Sequence, residues 1–101
     1  MPQKTVTSPI HPGEILREEF MKPLAITGNA LALALRAPTT RINAIVNETR
    51  SISADAALRL GRYFSTTSEF WMNLQRDYDL RMTARSSSVD IKRFVQPRSA
   101  A

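Results

Sequence analysis

The stretch Ala30-Leu31-Ala32-Leu33-Ala34-Leu35, halted at Arg36-Ala37 and restarted at Pro38, constrains this chain more than any other. Its alternation of small and large side chains resembles a strand pattern. Alanine and leucine are strong helix formers, however, and alanine is poor in strands, so the segment is expected to be helical. Thr27 supplies an N-cap at its start. Leu31, Ala34 and Leu35 are expected to share the buried face, with Leu33 opposite and exposed. The turn Arg36-Ala37 leads straight into a third helix opened by Pro38, since proline is tolerated at the first helical position. In that helix Ile42, Ile45 and Val46 face inward. Thr39, Thr40, Arg41, Asn43, Ala44 and Asn47 point sideways or outward.

Helical signals continue on both sides of this pair. His11-Pro12-Gly13-Glu14 opens a first helix, with Glu14, Glu18 and Glu19 towards the positive end of its dipole. Ile15, Leu16, Phe20 and Leu24 form its expected buried stripe, and Pro23 predicts an end near Met21 or Lys22. After a loop from Glu48 to Ile52, Ser53 caps a fourth helix that carries Asp55 in its first turn and buries Ala57, Leu60, Gly61 and Phe64. Thr66-Thr67-Ser68-Glu69 has a capping-box pattern for a fifth helix through Phe70, Trp71, Leu74, Tyr78 and towards Met82. Arg85-Ser86-Ser87-Ser88 reads as a linker, Val89 to Val95 as a short strand or ordered tail, and Pro97 to Ala101 as disordered. The expected division is a flexible lead over 1–9, an all-α five-helix domain over 10–83, and a linker with a short C-terminal tail over 84–101.

Several function classes are excluded by composition. A chain of 101 residues builds one modest core and not a core plus a large substrate cavity. It has no cysteine, which removes disulfides, cysteine zinc sites and thiol nucleophiles. His11 is its single histidine, so a hydrolytic triad or histidine metal site lacks parts, and His11 reads as a helix-entry residue. Glu18, Glu19, Asp77 and Asp79 read as solvated faces, because neighbouring carboxylates on one helix diverge. No catalytic residue, metal or cofactor is expected. No apolar run approaches the roughly 20 residues of a membrane span. The polar stretch Met1 to Ser8 has no apolar signal core, and the expected location is cytoplasmic.

The net charge of +5 is concentrated in the middle of the chain. Residues 27–62 contain Arg36, Arg41, Arg50, Arg59 and Arg62 against only Glu48 and Asp55. Two short helices joined by a tight turn, with small polar residues outward on the second, match the geometry that places a helix in the DNA major groove. Thr39, Thr40, Asn43 and Ala44 are slim enough to let the helix enter. Threonine, asparagine and arginine all have base-edge partners. Asn47 and Arg50 lie where phosphates are expected, and the main-chain amides of Gly28 and Asn29 open the second helix towards a phosphate. A plain five-helix bundle with a polar third helix has the same periodicity, so pattern alone leaves both readings open.

The chain resembles the HigA-type antitoxins, also known as virulence-associated protein I homologues, of the Cro/repressor helix-turn-helix family. The resemblance rests on His11-Pro12-Gly13-Glu14-Ile15-Leu16-Arg17-Glu18-Glu19-Phe20 and Pro38-Thr39-Thr40-Arg41-Ile42-Asn43-Ala44-Ile45-Val46-Asn47. It continues in Ser53-Ala54-Asp55-Ala56-Ala57-Leu58-Arg59-Leu60 and Glu69-Phe70-Trp71-Met72-Asn73-Leu74-Gln75. It implies a lambda-repressor-like domain, a homodimer, double-stranded operator DNA as ligand, and an RNA-cleaving toxin of the HigB type as partner. A helix-turn-helix repressor with no toxin is the alternative. Similar proteins carry glutamine in place of Gly28, and glycine in place of Arg36 and Glu48. The apolar side chains of the fifth helix place the expected dimer contact at Phe70, Trp71, Leu74 and Tyr78. A toxin contact is expected outside the third helix, on the first helix, on Leu33 or on the tail from Ser86.

Overall fold

The computed structural model describes residues 8–99. Most of the expected flexible lead over 1–9, and the last two residues of the tail, lie outside that range. Among the described residues there are five α-helices and no strand: α1 (Pro12–Ile15), which runs on as a π-helical segment over Leu16–Met21, α2 (Gly28–Leu35), α3 (Thr39–Val46), α4 (Ala54–Phe64) and α5 (Ser68–Phe94).

Two helix starts, at Thr27 and Ser53, follow the capping chemistry in the sequence. Helix α5 is capped by Thr67, one residue after the Thr66 that the capping-box spacing to Glu69 selects, because the Thr66 hydroxyl accepts the Trp71 indole N–H instead. The hydroxyls of Thr27, Ser53 and Thr67 accept the amides of Ala30, Ala56 and Phe70 at 3.1, 3.1 and 3.0 Å. At α1 the cap is His11, whose Nδ1 accepts the Gly13 amide at 2.8 Å. The first helix stops before Pro23, which has no N–H to continue it. Four turn residues adopt positive φ without being glycine: Ala25 (53°), Arg36 (55°), Glu48 (66°) and Ser65 (59°). The backbone therefore keeps its left-handed turns at Arg36 and Glu48, at a cost of about 1 kcal/mol each relative to glycine.

The core gathers Leu16, Met21, Leu31, Leu35, Ile42, Ile45, Ile52, Leu60 and Trp71 beneath all five helices. Phe20, half-buried, packs on Phe64 and Trp71 at ring distances of 5.0 and 4.9 Å. Polar contacts tie the layers together. Buried Gln75 accepts the Ile52 amide at 2.7 Å and donates to Asp79 at 2.9 Å, fixing α5 to the loop after α3. His11 packs edge-on against Tyr78 at 4.8 Å, fixing α5 to the start of α1.

Several expectations are corrected. Leu24 is 60% exposed, because the chain has left the helix before reaching it. In α2 it is Ala32, and not Ala34, that is buried with Leu31 and Leu35, whereas Leu33 is exposed as expected. Ala32 and Ala34 flank the Leu31–Leu35 stripe symmetrically, about 80° to either side at 100° per residue, and the return of α3 selects Ala32. Trp71 is wholly buried in the core of its own chain, with its indole N–H donated to Thr66 at 2.8 Å, so it has no surface left for a dimer contact. The linker at Arg85–Ser88 and the short strand after it are absent. Helix α5 is continuous to Phe94, a length of about 40 Å at 1.5 Å per residue. Three serines interrupt the hydrophobic pattern without supplying a proline or glycine to break the backbone.

Burial lowers the pKa of His11 below its ordinary 6.5, against the opposing pull of Glu48 and Asp79, with Arg17 adding to the fall. A lowered folded value makes the neutral ring a source of stability that is present above 6.5 and is lost as pH falls through the folded value. Thermal melts should therefore show stability declining as the solution is acidified below about pH 6.5, before the carboxylates titrate. His11→Asn, which keeps a side-chain acceptor for the Gly13 amide, should flatten that decline. An unchanged slope in the variant would contradict the assignment.

Candidate nucleic-acid interface

The geometry of the site begins with how α3 is seated. Ile42 and Ile45 are each 1% exposed, which fixes the rotation of α3 about its axis. At about 100° per residue the face opposite them is centred between Thr40 and Asn47, with Asn43 and Ala44 about 50° to either side. Thr39, Thr40 and Asn47 are exposed, and Asn43 and Ala44 are half-buried. Asn43 leans towards α2, and its side-chain amide donates to the Asn29 side chain at 3.4 Å. Gly28 lies directly under it, so that a Cβ at residue 28 would fall on the Asn43 amide oxygen. The absence of a side chain at Gly28 thus leaves room for the Asn43 amide beside the start of α2.

The α2 N-terminus belongs to the same surface. Thr27 satisfies the Ala30 amide, and within the described residues the Gly28 and Asn29 amides have no acceptor. They add two oriented donors, and the positive end of a helix dipole, beside Asn43. At the other end of α3, Thr49 closes on the Ala44 carbonyl through both its amide and its hydroxyl, at 2.9 and 3.1 Å. Arg50 follows, exposed and without an acidic partner among the described residues.

Two tethers hold this element in place, and neither is evident from sequence. Arg17 donates to the Val46 carbonyl at 2.6 Å and pairs with Glu48 at 2.9 Å, binding the first helix to the end of α3. The close approach depends on Gly13, where a Cβ would fall on the Ile45 carbonyl oxygen. Arg59 of α4 donates to the carbonyls of Leu35 and Arg36 at 2.9 and 3.2 Å, closing the end of α2 just before the turn. The helical spacing of Asp55 and Arg59 is visible in the sequence as an i,i+4 pair. The reach of either arginine to a distant carbonyl is not, because it depends on how the helices cross.

Of the residues expected to meet DNA, the structure brings Gly28, Asn29, Thr39, Thr40, Asn43, Ala44 and Asn47 onto one side of the α2–α3 pair, and Arg50 follows three residues after Asn47, exposed. Arg41 is the exception. It lies on the flank of α3 facing α4, three-quarters covered, and its guanidinium pairs with Asp55 at 3.0 Å. Among the described residues no three of His, Asp or Glu come together as a metal site, and no helix is long and apolar enough to cross a membrane.

No protein-family model matches the chain. Individual proteins do. Virulence-associated protein I of Dichelobacter nodosus is 56% identical over 73 residues, covering 72% of this chain and 68% of that protein. Antitoxin HigA-1 of Vibrio cholerae is 34% identical over 95 residues, covering 94% of this chain and 89% of that one. The solved structure of Pseudomonas aeruginosa antitoxin HigA with the higBA promoter superposes with a TM-score of 0.87 at 48% identity, over 90% of this chain and 99% of that one.

The contact of Gly28 with Asn43 has a measurable consequence. In Gly28→Ala the added methyl meets the mobile end of a side chain and not backbone, so the protein should fold with unchanged or slightly raised thermal stability. The Asn43 amide must move aside, and specific DNA affinity should fall by about tenfold, the scale of one base contact. A folded Gly28→Ala protein with wild-type DNA affinity would show that the position of Asn43 does not matter.

Proposed function

The chain belongs to the family of HigA-type antitoxins and virulence-associated protein I, and from that premise we propose that it is a dimeric, DNA-binding antitoxin that represses its own promoter and neutralises an RNA-cleaving toxin of the HigB type. The observation that carries the DNA reading is the slim polar stripe of α3 set beside the open amides of α2. Thr40 and Asn43 read base edges in the major groove, and Thr39 and Ala44 keep the helix slim enough to enter it. Asn47, Arg50 and the amides of Gly28 and Asn29 meet phosphate. Repression and neutralisation by one molecule need separate surfaces, so the toxin sits away from α3. The protein works by binding and not by turnover, as a regulator.

Dimerisation fits the apolar surface that α5 leaves uncovered. Leu74 and Tyr78 are half-buried against their own chain, and Phe70 is 37% exposed. At 100° per residue the same face continues through Met82 (42%) and Val89 (77%), whereas Leu80 and Phe94 project from other sides of the helix. We therefore place the dimer contact along α5 and extend it towards the C-terminus. Sedimentation should find a dimer at tens of micromolar for the wild type, and a shift to monomer for Met82→Asp with Val89→Asp. A wild-type monomer would overturn this.

The DNA reading is tested by titrating folded variants against the duplex of the protein's own promoter and against random duplex. Thr40→Ala and Asn43→Ala should each cost about 1–3 kcal/mol on the promoter and little on random DNA. Arg50→Ala should weaken both alike and reduce the salt slope by about 0.9, the value of one neutralised phosphate. If the Thr40 and Asn43 variants keep wild-type discrimination, α3 is not the reader.

A further inference from the structure

Arginine is the side chain best suited to pair with guanine or clamp a phosphate, and α3 carries a single arginine, Arg41. Its guanidinium is turned away from the outward stripe. Nη2 donates to Oδ2 of Asp55 at 3.0 Å, and Nε is buried with no acceptor. Among the described residues the bond to Asp55 is thus the only polar anchor that holds Arg41 on the α4 side, since the burial of Nε opposes that position. Asp55 is itself well fixed. It lies in the first turn of α4, where the helix dipole favours an anion, and the same oxygen accepts from Arg59 at 2.9 Å. Arg59 in turn closes the end of α2. One carboxylate therefore connects α3 with α4 and, through Arg59, with α2.

We infer that Asp55 is a specificity-determining residue of the DNA-binding surface, which holds Arg41 against α4 so that the side chain cannot reach DNA and readout is left to Thr40 and Asn43. The inference rests on the DNA reading proposed above. An unrestrained arginine on the edge of a helix in the groove would reach the nearest phosphates on any duplex. That contact would raise affinity for all sequences and dilute discrimination. Asp55 would act without touching DNA, as a positioning residue for Arg41.

A double-mutant comparison tests this. Wild type, Asp55→Ala, Arg41→Ala and the double variant are first shown to be folded by thermal melts, with Asp55→Asn replacing Asp55→Ala if the latter melts too low. Each is then titrated against promoter and random duplex of equal length at several salt concentrations. Arg41→Ala alone should change neither affinity by more than about twofold, because Arg41 makes no DNA contact in the native protein. Asp55→Ala should tighten random-duplex binding by about tenfold, steepen the salt slope by about 0.9, and narrow the ratio of promoter to random affinity. In the double variant the ratio and slope should return to wild-type values. A purely structural role for Asp55 would lower stability and leave the slope alone. Two outcomes overturn the inference: a tenfold loss of promoter affinity in Arg41→Ala, or a gain in Asp55→Ala that persists in the double variant, which would mark simple loss of a repelling charge. Equal wild-type affinity for the two duplexes is a separate result, which removes the DNA reading and the inference with it.

Discussion

The seating of Ile42 and Ile45 in the core fixes the rotation of α3, and the character of the exposed surface follows from that rotation. A helix turned by one residue would present Arg41 and Ile45 outward and bury polar groups without partners. The burial of two isoleucines, worth about 1.5–3 kcal/mol each, opposes that slip. Backbone contacts at the ends of the element set its remaining freedoms. Gly13 lets the first helix approach the Ile45 carbonyl, and Arg17 binds the Val46 carbonyl from the same side. Gly28 leaves room at the start of α2 for the Asn43 side-chain amide. The two glycines matter here for the closeness they permit and not for an unusual backbone angle.

Charge is distributed by the same architecture. The arginines of the middle segment divide into those engaged within the fold and those left to act outward. Arg41 and Arg59 share Asp55, and Arg59 also closes α2. Arg36, Arg50 and Arg62 have no acidic partner among the described residues and are exposed. Counting arginines in the sequence therefore overstates the number open to a nucleic acid. The exposed ion pairs contribute little stability by themselves, and what they fix is the geometry of side chains near the site.

Much of this is legible in the residues. The caps at Thr27 and Ser53, the inward triad of α3 and the exposure of Leu33 all follow from local rules, because each depends on contacts within a few residues of the chain. The choice between Ala32 and Ala34 does not, since helical spacing is symmetric about Leu31 and Leu35. The length of α5 is hidden at Ser86-Ser87-Ser88, where weak helix formers look like a break although an established helix tolerates them. The size of Trp71 suggests a dimer surface, whereas its own chain has room for it beside Phe20 and Phe64. The roles of Arg17, Asp55 and Gln75 depend on helix crossings, which no spacing in the sequence encodes. The departures from glycine at Arg36 and Glu48 are visible as departures. That the backbone keeps the left-handed turns regardless is visible only in the fold.

The proposed DNA interface is the outward face of α3 together with the open end of α2. Amide chemical shifts, followed while the promoter duplex is titrated into the isotope-labelled protein, test it most directly. The largest changes are expected at Gly28 and Asn29 and from Thr39 through Arg50, with the amides of α5 beyond Tyr78 unaffected. Large shifts confined to α4 and α5, with Gly28, Asn29, Thr40 and Asn43 unmoved at saturation, would contradict it.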